Sequence, residues 1–92
     1  MVVAPTSFSD KSSLQGALAE WCGNPASAEA AHGGAVGTWD VSAVTDMSWL
    51  IYYVQCRSTF DQDINGWDVG QVTTMYHMFR YASAFNGDIN GW

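Results

Sequence analysis

Two stretches of the chain repeat one another, and this repetition restricts the available folds more than any other feature. Residues 36–67, VGTWDVSAVTDMSWLIYYVQCRSTFDQDINGW, align with residues 64–92, INGWDVGQVTTMYHMFRYASAFNGDINGW. Trp39, Asp40, Val41, Val44, Thr45 and Met47 recur 28 residues later as Trp67, Asp68, Val69, Val72, Thr73 and Met75. Phe60, Asp63, Ile64, Asn65, Gly66 and Trp67 recur 25 residues later as Phe85, Asp88, Ile89, Asn90, Gly91 and Trp92. The difference between the two spacings places a three-residue expansion between Ile51 and Phe60. The chain therefore divides into an expanded repeat (36–63), a regular repeat (64–88) and the opening of a third (89–92). In such architectures each unit leaves an apolar face bare and its neighbour buries it.

Within the regular repeat, Met75, Met78, Phe79 and Ala82 fall at i, i+3, i+4 and i+7, which predicts a short helix with Thr73 as its N-cap. Thr45 stands likewise before Met47, Leu50 and Ile51, with Asp46 suited to the first turn. The Asn65-Gly66 pair interrupts any helix and reads as a turn feeding a short extended segment at 67–69. One short strand and one short helix per repeat give an α/β class, a short right-handed solenoid of leucine-rich-repeat type. Its expected core columns are Trp39/Trp67/Trp92, Met47/Met75, Leu50/Met78 and Ile51/Phe79, with Val44, Val72, Phe60 and Phe85 beside them. Ahead of the repeats, residues 1–7 read as a tail and 8–35 as a helical cap. Ser9 or Asp10 caps a helix over 8–22 that presents Leu14, Ala17, Leu18 and Trp21 on one face. Asn24-Pro25 opens a second helix over 25–32, and Gly33-Gly34 stops it.

The pattern W-D-V-S-x-V-T-x-M, an apolar-rich segment and then F-x-x-D-I-x-x-W resembles the BspA-like, mycoplasma-lipoprotein-type surface repeats. The leading segment FSDKSSLQGALAEWCGNPASAEAAHG followed by GTWDVSAVTDMSWL further resembles forms abundant in surface-protein families of unicellular algae. The resemblance covers residues 8–92. It implies a non-catalytic module at the cell surface or outside the cell, serving adhesion or protein interaction and needing no cofactor. Gly70 departs from Ser42 and Gly87 from Gln62, so side-chain hydrogen bonds at those turns are expected to be missing.

Three Lys and Arg against nine Asp and Glu give a formal charge of −6, which repels nucleic-acid phosphates and anionic membranes. No apolar run approaches the roughly 18 residues of a membrane span, so no membrane insertion is expected. Cys22 closes the first cap helix and Cys56 lies in the expansion. The two become neighbours if the cap packs on the first repeat, giving a disulfide, with two free buried thiols as the alternative. Adding His32 and His77 makes four potential zinc ligands, but their spacing lacks the close pairs of zinc sites. Asp61, Asp63 and Asn65 match the start of a calcium loop, and Asp88 and Asn90 nearly repeat it. Val72 stands where the bidentate Glu is required, so a structural turn ladder is the stronger reading and calcium the weaker.

Four carboxylates, Asp40/Asp68 and Asp63/Asp88, occupy repeat-equivalent positions, as architecture requires and catalysis does not. Trp49 has no place on the expected helix's apolar face. Together with Tyr53, His77 and Tyr81 it forms an expected column of outward rings suited to a protein partner or a sugar, provided that segment 54–58 does not cover Trp49. Carbohydrate binding is the second functional reading and calcium binding the third. A repeat edge left uncovered after Trp92 is expected to favour self-association.

Overall fold

Local side-chain chemistry starts and stops the two helices of the structure, a computed structural model that describes residues 7–87, 89 and 92. Helix α1 spans Lys11–Gly23, and the Asp10 carboxylate accepts the Ser13 N–H at 2.9 Å to cap it. Its Leu14, Ala17 and Leu18 are buried. Helix α2 spans Pro25–His32; Asn24 caps it by accepting the Ser27 N–H, and Gly33 ends it at a left-handed φ of 85°. The first helix begins later than the sequence implies because the Phe8 N–H donates to the Asp40 carbonyl at 3.0 Å. That bond draws Phe8 into the core instead of into a helix. Of the expected tail, residues 1–6 lie outside the described residues.

The expected α/β solenoid does not form. Among the described residues the repeats contain neither an α-helix nor a strand; beyond a 3₁₀ turn at Val36–Thr38 they are built of turns. Extended pairing is limited to two isolated parallel bridges, Ser7 with Asp40 and Asp46 with Thr74. The chain is a compact globule of 37 × 26 × 23 Å.

The reason lies in where the backbone donors go. Met47, Trp49 and Ile51 donate their N–H groups to the carbonyls of Thr74, Tyr76 and Met78 at 3.0, 2.9 and 3.0 Å, and Thr73 donates to Thr45 at 2.7 Å. Groups that a helix would pair four residues back are thus committed to the other repeat. Trp49 adopts a φ of 61°, which a right-handed helix cannot accommodate. A run this short, rich in Trp and Tyr, gains too little to offset helix nucleation. Thr45 and Thr73 are consequently ladder partners, not N-caps. The expected strand at 67–69 is cut short because the Asp68 carboxylate accepts the Gly70 N–H and the Val69 carbonyl accepts the Val72 N–H.

Repeat-equivalent residues nevertheless do equivalent work. The N–H groups of Trp39, Trp67 and Trp92 donate to the carbonyls of Val36, Ile64 and Ile89, each at 3.1 Å. The Trp67 indole N–H donates to the Val36 carbonyl at 2.8 Å, and that of Trp92 to Ile64 at 3.1 Å. Trp39 closes the series on the Gly34 carbonyl at 2.9 Å. Gly37 must be glycine here, since a Cβ would overlap the Asp63 carbonyl. Of the expected core, Trp39, Val44, Met47, Phe60 and Trp67 are buried, whereas Val72, Phe85 and Trp92 are only partly so. Met75 is a correction: its carbonyl accepts the Met78 N–H, and the turn sends Met78 inward and leaves Met75 39% exposed.

Cys22 and Cys56 form a disulfide across a Cα–Cα distance of 5.5 Å, tying α1 to the expanded loop. Disulfides persist in oxidising environments, and no helix among the described residues is long and apolar enough to cross a membrane. Closing a loop of this length is expected to contribute about 2–4 kcal/mol. Reduction, or the C22A/C56A variant, should lower the urea-unfolding free energy by that amount; an unchanged midpoint would show that the link carries no stability.

Candidate functional site

The turns at 47–54 and 75–82 run side by side because of the cross-repeat ladder, and most of their aliphatic side chains, though not Met75, point inward. Leu50, Ile51, Val54 and Met78 are buried and Phe79 packs against the core, whereas the tyrosines between them face outward. Tyr53, Tyr76 and Tyr81 are 69%, 62% and 59% exposed, and Trp49 is partly exposed. Trp49 occupies the centre. Its ring lies 4.7 Å from His77, 5.0 Å from Tyr52, 5.7 Å from Tyr76 and 6.1 Å from Tyr53.

The structure thus brings Trp49, Tyr53 and His77 together as expected. Tyr81 packs against Tyr52 at 5.7 Å, where Tyr53 was the expected neighbour. Segment 54–58 leaves Trp49 partly open; Val54 turns into the core and Arg57 extends over other rings. Tyr52, Tyr76, Arg57 and Arg80 are members of the face that ring spacing alone misses. A readable signal for them existed: residues 47–60 and 69–87 contain no Asp or Glu but two of the three Lys and Arg residues of an acidic chain.

The backbone beneath this face is strained. Trp49, His77 and Tyr81, with φ of 61°, 51° and 61°, are the only non-glycine residues of positive φ among the described residues. For bulky side chains this region is unfavourable, costing about 1–3 kcal/mol each, and survives only where surrounding contacts impose it. At Trp49 the ladder does so: its N–H is held by the Tyr76 carbonyl, and its carbonyl accepts the Tyr53 N–H at 3.2 Å; at His77 the carbonyl accepts the Arg80 N–H at 3.1 Å.

Two guanidinium groups lie on the rings. Arg57 sits 5.0 Å from the Tyr52 centroid and 5.9 Å from Tyr81; Arg80 sits 5.1 Å from Tyr81 and 5.9 Å from Trp49. Arg57 donates to the Tyr52 carbonyl at 3.2 Å, and Arg80 reaches the Tyr81 hydroxyl at 3.5 Å. The bond and charge of Arg80 hold the Tyr81 hydroxyl below its ordinary pKa, and the same contact raises that of Arg80.

The other candidate groups are engaged in structure. Cys22 and Cys56 are consumed by the disulfide, which removes them from any zinc set. His32 lies in the last turn of α2, 5.1 Å from the Trp39 ring and 3.5 Å from the Glu20 carboxylate. Asp61 accepts the Asn86 N–H at 2.8 Å and Asp63 the Asn65 N–H at 3.1 Å. Asp88 and Asn90 lie outside the described residues. Among the described residues no three His, Cys, Asp or Glu side chains converge in a metal-holding group. Asp40 and Asp46 accept from Ser42 and Ser48, whose hydroxyl and then backbone hydrogen bonds lower both carboxyl pKa values. Gly70 keeps only the backbone half of that arrangement with Asp68, as its missing hydroxyl implies.

A family model described as Mycoplasma protein of unknown function, DUF285, matches residues 8–92. No curated protein and no solved structure matches the chain.

The Tyr81–Arg80 contact makes a spectroscopic prediction. Stabilising the phenolate lowers the pKa, so one tyrosine should ionise before the others as pH rises toward about 10. Ultraviolet difference absorbance should show this early step, and R80Q should remove it. An identical titration curve for the variant would show that the contact does not exist in solution.

Proposed function

The chain belongs to the DUF285 family, and from that premise and the geometry above we propose that it is a non-catalytic binding module, displayed on a cell surface or outside the cell, that adheres to its partner through the aromatic face around Trp49. One observation carries this reading: Trp49, His77 and Tyr81, the non-glycine residues of positive φ among the described residues, all belong to the outward face. Strain of this kind concentrates where a structure positions side chains for contact. Rings held in place lose little rotamer freedom on binding.

The disulfide supports an extracellular setting. A non-catalytic role is supported by the carboxylates, since Asp40, Asp46, Asp63 and Asp68 accept backbone N–H groups in their own turns and Asp61 accepts one across the repeats. Asp40 and Asp68 do so in corresponding places of the two repeats.

Trp49→Gly combined with Tyr81→Gly tests the proposal, because glycine accepts the left-handed backbone without a Cβ penalty. The ring is removed while the turn can persist. Unfolding stability should change by less than about 1.5 kcal/mol, whereas adhesion of the protein to cell surfaces should be lost. Unchanged adhesion by the folded double variant would eliminate this face.

A further inference from the structure

The charge distribution around Trp49 is opposite to that of the rest of the molecule. All nine acidic residues fall outside residues 47–60 and 69–87, the two segments that build the face, while Arg57 and Arg80 fall within them. The third cation, Lys11, is paired with Asp46 at 3.3 Å. Among the described residues neither arginine has a carboxylate partner. Both converge instead on Tyr81, whose ring lies within 6 Å of each guanidinium carbon, at 5.9 Å and 5.1 Å. A guanidinium carries five N–H donors, and the bonds to Tyr52, Tyr81 and His77 leave several of them for a ligand.

We propose that this face binds an acidic glycan of low charge density, with its carboxylate held by Arg57 and Arg80 and its sugar rings lying on the aromatic side chains. The inference rests on the reading of the aromatic face as the binding surface and names the chemistry of its partner. Three features favour a sugar over a peptide or a nucleic acid. All four tyrosines of the chain, Tyr52, Tyr53, Tyr76 and Tyr81, belong to the cluster, so its tilted and edge-on rings bring phenolic hydroxyls to the face that match sugar hydroxyls. The aliphatic side chains Leu50, Ile51 and Val54 are turned into the core, so they offer a peptide side chain no anchor on this face. A nucleic acid carries a charge at every unit and would meet only two cations on this face of a molecule whose net charge is −6.

The experiment compares an array of uronate- and sialate-bearing glycans with their methyl-esterified, uncharged counterparts. An acidic polyglutamate peptide and a single-stranded oligonucleotide are the competing polyanions. The acid should bind at least roughly tenfold more tightly than its ester, as expected when charge-assisted hydrogen bonds are removed. Rising salt should weaken that preference. R57Q/R80Q should abolish the acid–ester difference with an unchanged thermal melt, while R57K/R80K, which keeps the charge, should retain part of it. Equal binding of acid and ester, or no binding by any acidic glycan, would overturn the inference. Tighter binding of polyglutamate or the oligonucleotide would overturn it in favour of that polymer. The Trp49→Gly/Tyr81→Gly adhesion measurement is read separately: loss of adhesion without acid preference overturns the glycan assignment alone, whereas unchanged adhesion removes the face itself.

Discussion

The carbonyl oxygens of Val36 and Ile64 each receive two donors from tryptophan. Val36 takes the backbone N–H of Trp39 and the indole N–H of Trp67; Ile64 takes the backbone N–H of Trp67 and the indole N–H of Trp92. A carbonyl has two lone pairs, so each junction is complete. Every tryptophan in the series therefore closes its own turn, and Trp67 and Trp92 also grip the preceding repeat, as Trp39 grips the end of the cap. An indole buried without this acceptor would carry the desolvation cost of an unmade hydrogen bond, about 1–3 kcal/mol, which makes the register between repeats specific as well as favourable.

Once Trp67 is seated on Val36, the backbones of the two repeats lie close enough for Met47, Trp49 and Ile51 to donate across to Thr74, Tyr76 and Met78. These bonds commit the donors that a helix would need, and the resulting turns bury Leu50, Ile51, Val54 and Met78 while exposing Tyr53, Tyr76 and Tyr81. The strained φ of Trp49 is held by the same ladder, through its N–H on the Tyr76 carbonyl. Core packing and the surface face are therefore two sides of one set of backbone bonds. The disulfide adds a restraint on the expanded loop, which also carries Arg57 to the rings of Tyr52 and Tyr81.

Features that depend on a residue and its near neighbours were legible in the sequence. The capping chemistry of Asp10, Asn24 and Gly33, the pairing of Cys22 with Cys56, and the equivalence of Trp39 with Trp67 all appear in the structure. The secondary structure of the repeats was not legible. Spacing of Met75, Met78, Phe79 and Ala82 at helical intervals reflects inward-facing positions, but turns with a left-handed residue generate similar intervals, and periodicity does not distinguish them. Only the destination of the N–H groups decides between helix and ladder, and that is a long-range property. For the face, Trp49, Tyr53, His77 and Tyr81 were visible as rings without a core position. Arg57 and Arg80 were overlooked because they matter through where the acidic residues are missing.

The claim that tryptophan junctions hold the repeats together is tested most directly by hydrogen exchange at the indole N–H groups, followed residue by residue by nuclear magnetic resonance. Trp39 and Trp67 donate from buried side chains, Trp92 donates from a partly buried one, and Trp49 makes no indole hydrogen bond among the described residues. The account predicts that the Trp39 and Trp67 indole protons exchange only through opening of the core, that Trp92 is intermediate, and that Trp49 exchanges freely. A Trp67 indole proton exchanging as fast as that of Trp49 would contradict it.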